Sequence, residues 1–204
     1  GDGLKCTPPL DTGKHLHVEN IITLGKNATD QFHAFVLESY DRVTGGNLVA
    51  VRNTFGVVLK CANVNLTSLF AKDNGTQGLY LKSDTNFGQC KNINIGQVTV
   101  DGNNNNGTGI LLQSAGRSIT DVNIGQVIIE NYPRGVKLDV DGTNGVLIEN
   151  VNFGDVIIKN VSDRGFYLEA AKGFIDNVHC DNITVNGAIT TGAIDTFGVV
   201  KNVY

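Results

Sequence analysis

The 204-residue chain contains no methionine at all. Residue 1 is therefore not expected to be a translation start. A processed chain or an excised stretch is expected, with any targeting segment lost from view. Charge is sparse, at 18% of residues with a net charge of -4. That leaves no basic footprint, so no nucleic-acid partner is expected. No apolar run approaches membrane-spanning length and no signal-peptide pattern opens the chain, so no membrane partner is expected either. Only four histidines occur: His15, His17, His33 and His179. The four cysteines, Cys6, Cys61, Cys90 and Cys180, show no CxxC or finger-like spacing. That argues against zinc. Two disulfides are open by arithmetic, and buried free thiols are the favoured reading. Proline is also scarce, with 3 residues.

What is present is glycine (25 residues), asparagine (24) and a full 41% of hydrophobic residues. That is a turn-rich β composition rather than a disordered one. The chain also repeats itself. "TDVNIGQVIIEN" (Thr120–Asn131) returns as "ENVNFGDVIIKN" (Glu149–Asn160) and is anticipated by "KNINIGQVTVDG" (Lys91–Gly102). The shared template is apolar, polar, apolar, two small or polar residues, apolar, any, apolar. It also fits Val64/Leu66/Leu69/Ala71 and Val178/Cys180/Ile183/Val185, which places Cys180 in a core slot. A second phrase alternates with it: glycine, apolar, any, apolar. Its starts are Gly3, Ala34, Gly56, Gly78, Gly109, Gly135, Gly165 and Gly192, spaced 22 to 31 residues apart with a mean of 27.

Self-similarity at a period in the twenties marks a solenoid. The apolar spacing of two within each phrase makes the units strands. The leucine-rich-repeat pattern is not sustained. The expected fold is all-β: a right-handed parallel β-helix of about seven to eight coils, with residues 1–204 as a single domain. Stacked coils close the core that one coil cannot close alone. "DNGTQ", "DGNNNNGTG" and "DVDGTNG" are the turns, where Asn, Asp and Gly tolerate positive φ. The asparagines of the template (Asn65, Asn94, Asn123, Asn152, then His179) are expected to stack as a hydrogen-bonded amide column. No capping element is legible at either end. A slice of a longer β-helix, or ends covered by a partner or neighbouring domain, is the expectation.

These repeats resemble the pectin-lyase-like superfamily of parallel β-helices, and the resemblance covers nearly the whole chain. That superfamily includes pectate lyases, polygalacturonase-like hydrolases, alginate epimerases, and bacteriophage tailspikes and appendages. Irregular Asn-rich coils look most similar to the phage segments. The resemblance implies a polysaccharide or cell-surface glycan as partner, and an extracellular or virion-surface location. It does not by itself settle function. The NTD, DD, GHG and RIK series of polygalacturonases is missing. So are the DPHD of alginate epimerases and the RxxR of pectate lyases.

Candidate sites follow from the outward columns of the Gly-apolar-x-apolar phrase. The x column reads Val36, Val58, Tyr80, Leu111, Lys137, Tyr167. The next outward column reads Glu38, Lys60, Lys82, Gln113, Asp139, Glu169, and the one before the glycine includes Arg134 and Arg164. Tyr80, Lys82, Gln113, Arg134, Lys137, Arg164 and Tyr167 are the expected glycan-contacting residues, through stacking and charged hydrogen bonds. Asp139 and Glu169, one coil apart, have the spacing of a retaining-glycosidase pair, in which one acid must be shifted up. A solvated face of mixed charges is the plainer reading. The column Ser68, Gln97, Gln126, Asp155, Asn182 is expected to be a hydrogen-bonded ladder. Asp139, Asp141 and Asn144 have a calcium-loop-like spacing, but the glutamate at position 12 and the flanking helices are lacking. No metal or cofactor is expected. Six N-x-S/T sequons fall at Asn27, Asn65, Asn74, Asn106, Asn160 and Asn182. They matter only in a eukaryotic secreted protein. A second functional class remains open: a structural shaft or homotrimer-forming spacer. The apolar Val36, Val58 and Leu111 in an outward column point to it, as an interface or a covered surface.

Overall fold

The computed structural model describes residues 4–6, 15–25, 33–86, 89–103, 107–141, 145–187 and 189–204. Gly3, Asn27, Asn106 and Asn144 lie outside these. No helix occurs among the described residues. Among the described residues, fifteen strands form one continuous sheet wound into a parallel β-solenoid. One ladder runs through β1 (Leu4–Cys6), β4 (His33–Glu38), β6 (Phe55–Lys60), β8 (Gln77–Asp84), β10 (Thr108–Ala115), β12 (Arg134–Val140) and β14 (Arg164–Asn186). The other runs through β2 (His15–Val18), β5 (Arg42–Val51), β7 (Ala62–Lys72), β9 (Lys91–Asp101), β11 (Ile119–Glu130), β13 (Leu147–Lys159) and again β14. β3 (Ile21–Leu24) pairs with β5, and β15 (Gly192–Val203) pairs with β14.

The winding closes about six turns of roughly 28 residues. That is fewer than the seven to eight expected. The first expected start, Gly3, is outside the described residues, and the last, Gly192, opens a strand that is paired on one side only.

Each repeated phrase contributes the same inward teeth. The register aligns Phe35, Val57, Leu79, Ile110, Val136 and Phe166 in one column, and Leu37, Leu59, Leu81, Leu112, Leu138 and Leu168 in the next. On the other ladder Val64, Ile93, Val122, Val151 and Val178 stack, as do Leu66, Ile95, Ile124, Phe153 and Cys180. Nearly all are fully buried, each such side chain contributing about 1.5–3 kcal/mol. Phe153 meets Phe166 edge to face across the core at 5.6 Å.

The glycine that opens the Gly-apolar-x-apolar phrase is there for space. A Cβ on Gly109 would lie 2.5 Å from Ile129 Cγ2, and one on Gly135 would lie 2.4 Å from the Gly165 carbonyl. A second glycine stack marks the bend inside the other phrase, where a Cβ on Gly154 would lie 1.9 Å from the Gly125 carbonyl oxygen.

The asparagine column faces outward, and Asn152 donates to Asn123 at 3.1 Å. A second ladder stands beside it, at a corner of left-handed backbone: Asn63, Asn92, Asp121, Asn150, Asn177 and Asn202, with φ between 47° and 58°. There Asn92 donates to Asn63 at 2.8 Å, Asn150 to Asp121 at 3.0 Å and Asn177 to Asn150 at 2.8 Å. Asn and Asp tolerate this conformation better than other side chains do. The four cysteines are free. Burial pushes the Cys90 thiol up to about 12, against hydrogen bonds from its surroundings that lower it.

Candidate functional site

β8, β10, β12 and β14 carry the outward columns of the first ladder side by side. The register sets Tyr80 beside Leu111, Lys82 beside Gln113, and Gln113 beside Asp139. It then sets Arg134 beside Arg164, Lys137 beside Tyr167, and Asp139 beside Glu169. The expected residues therefore share one face, and most are linked by contact. Tyr80 donates its hydroxyl to Gln113 Oε1. Gln113 Nε2 donates to Asp139 Oδ2 at 3.3 Å. Lys137 Nζ lies 3.2 Å from Asp139 Oδ2 and 2.7 Å from Glu169 Oε2. The two carboxylate oxygens are thus no farther apart than those two distances combined. Arg164 stacks over the Tyr167 ring at 4.2 Å, and Lys137 lies 5.6 Å from the same centroid.

The two acids are shifted in opposite directions. Burial pushes Asp139 above the usual carboxylate range, against the opposing charge of Lys137. The hydrogen bond from Lys137 holds Glu169 below it, although burial works the other way. For Asp139, burial is the leading cause and the Glu169 charge a minor one. The expected mechanism, like-charge repulsion, is therefore not the main one. Burial draws Lys137 down, but its bonds to both acids outweigh this and hold it above its ordinary value.

Three expected residues sit at the margin of this network. Lys82 turns to Asp84 on its own strand, at 3.5 Å. Arg134 hydrogen-bonds Asp163 at 2.9 Å, and Arg164 Nε lies 3.1 Å from Asp195 without hydrogen-bond alignment. The arginines pair with these acids rather than with Asp139 and Glu169.

Tyr167 is only 6% exposed, and cations cover its ring, so its face is not open for a sugar to stack on. Val36, Val58 and Leu111 are 3%, 1% and 8% exposed. They do not form an open apolar interface: the outward column is covered within the chain itself. Farther down, the strip continues as aromatics, with His33 stacked on Phe55 at 4.6 Å and Phe55 facing Tyr80 at 6.3 Å.

In the column Ser68, Gln97, Gln126, Asp155, Asn182 the expected ladder forms in part: Gln97 donates to Gln126 at 2.9 Å and Asn182 to Asp155 at 2.8 Å, while Ser68 donates to Asn47 instead. Asn74 is fully buried and donates to the Ala50 carbonyl, so its sequon is closed in the folded chain.

A concavity that sequence reasoning missed lies at the corner following this face. It measures about 400 Å³ and is lined by Ser39, Tyr40, Asp41, Lys60, Asn86, Gln89, Lys91 and Arg117, among others. The signal for it was present as a difference in corner length. Lys60 to Ala62 turns the corner directly, whereas the next coil takes from Asp84 to Lys91.

The chain matches no protein-family model, no curated protein and no solved structure. The class that the fold defines is a parallel β-solenoid.

Proposed function

We propose that this chain is a polysaccharide-recognising solenoid module, of the kind the pectin-lyase-like superfamily builds on parallel β-helices, acting outside the cell or on a virion surface. The observation that carries the reading is the connected polar strip from Tyr80 through Gln113, Asp139 and Lys137 to Glu169, with Arg164 and Tyr167 alongside. Coils rise by about 4.8 Å, so a long repetitive ligand meets related groups at each step. Glu169, Arg164 and Arg134 keep partly exposed side chains that can exchange partners with sugar hydroxyls or carboxylates. Tyr167 serves as the platform that holds the Arg164 guanidinium, rather than as a stacking surface for sugar.

Recognition without cleavage is the form of this reading that the geometry supports. Asp139 and Glu169 have the opposed shifts of an acid and its partner. Yet the Lys137 ammonium lies between them, where a glycosidic bond would have to enter. The test is a broad glycan array probed with the wild type and with Arg164→Ala and Glu169→Ala. Binding by the wild type that both variants weaken is expected. No binding by the wild type removes the reading, and release of reducing ends from a bound glycan would replace recognition with hydrolysis.

A structural shaft or trimer-forming spacer is the second reading. It is favoured by one observation, the exposed apolar group Ile194, Phe197, Val199, Val203 and Tyr204 on and after the last strand. Concentration-dependent oligomers in light scattering are its signature, and a stable monomer counts against it.

A further inference from the structure

The hollow at the corner between the two ladders is polar and lopsided in charge. The chain as a whole is acidic, with a net charge of -4. Yet among the described residues this cavity of about 400 Å³ sets Lys60, Lys91 and Arg117 against a single carboxylate, Asp41. Lys60 is engaged by Glu38 at 3.2 Å. Lys91 and Arg117 are exposed and form no ion pair among the described residues. Asn86 and Gln89 add amides to the same wall. Two cations outside any ion pair, against the one carboxylate of Asp41, and two amides around a cavity of that size match an anionic group carried on a polyhydroxylated body. The cations take the charge and the amides take the hydroxyls. The stack of coils brings these groups together, as Ala62 and Lys91 pair in register.

We propose that this cavity is a binding site for an acidic saccharide unit, with Lys91 and Arg117 receiving its carboxylate or sulfate and Asn86 and Gln89 its hydroxyls. The inference deepens the glycan reading above and rests on it for the class of ligand. The site itself is separate from the strip at Asp139 and Glu169.

Three probes test it: an oligouronate, its carboxyl-reduced neutral counterpart, and a sulfated oligosaccharide. Each is titrated into the full chain while side-chain amide resonances are followed. The expected result is that at least one anionic probe shifts Asn86 and Gln89 and the neutral one does not. The oligouronate and sulfate arms tell the two sources of charge apart. Lys91→Gln with Arg117→Gln is expected to weaken that binding by about tenfold, the worth of one charge-assisted hydrogen bond. Both side chains are exposed, so the fold is expected to survive the change. No shift at Asn86 and Gln89 with either anionic probe, or undiminished affinity in the double variant, overturns the site. The Gln113 side-chain amide reports on the strip in the same spectra. Shifts at Gln113 alone sink this inference and leave the strip reading standing. Shifts at Asn86 and Gln89 alone do the reverse.

Discussion

Lys137 is the residue on which the polar strip turns. Its ammonium touches both Asp139 and Glu169, and it holds the second below the ordinary carboxylate range while burial raises the first. The two acids act on stability in opposite senses. Glu169 contributes stability above the ordinary carboxylate range, and this is lost as pH falls through its depressed value. Asp139 is the reverse: its contribution is present in acid and is lost as pH rises through its raised value. Replacing Lys137 with Gln leaves both carboxylates without their cation. Urea unfolding is expected to show a loss of about 1–3 kcal/mol at neutral pH, shrinking below the carboxylate range, where both acids are protonated. An equal loss at both pH values would contradict this account. Carbon NMR titration of the wild-type carboxyls is expected to place Asp139 above the ordinary aspartate value and Glu169 below the ordinary glutamate value. The candidate residues could be located from sequence because one residue per coil appears in each column. Their pairings could not, because Asp163 and Asp195 lie in turns or degenerate copies that the repeat does not align.

At the scale of the element, each coil is defined by a few positions that tolerate no side chain and a few that need a particular backbone. The bend within the first phrase depends on the stack of Gly96, Gly125 and Gly154, where an added Cβ on Gly154 meets the Gly125 carbonyl at 1.9 Å. Gly154→Ala is expected to destabilise by about 1–3 kcal/mol, as overpacking does, read as a lower urea midpoint. Asn150 stands at φ 54° and both gives and takes an amide hydrogen bond. Asn150→Ala is expected to cost about 1–2 kcal/mol from the left-handed backbone alone, with Asn150→Gly recovering part of it. The strands and their inward columns were legible because period two and the phrase spacing repeat without interruption. The corner ladder from Asn63 to Asn202 was not, since its residues stand just outside the repeated phrase and read as ordinary turn asparagines. The corner cavity was hidden for the same reason: its lining comes from residues between the repeated phrases, such as Tyr40, Asn86 and Arg117, which the template does not align.

The whole molecule is a stack in which each coil leans on its neighbours, so its stability is a sum of local terms. The interior coils are sealed on both sides. β15 pairs with β14 alone, and the apolar side chains of Ile194, Phe197 and Val199 remain exposed there. Hydrogen exchange is expected to be fastest in β15 and slowest in β11 and β13. If the exposed end mediates self-association, Phe197→Ser will lower the apparent mass at high concentration in light scattering. The repeated phrases build this stack, whereas the positions at which copies differ, Lys137, Asp139, Tyr167 and Glu169, give one face its chemistry. The central claim is that recognition lies on that variable face. It is tested most directly by a crystal structure with an oligosaccharide taken from the glycan that binds best on an array. The account predicts sugar density along the outer side of β10, β12 and β14, in contact with Arg164 and Glu169. Density over the amide ladders of β11 and β13, or a chain that binds no glycan at all, would contradict it.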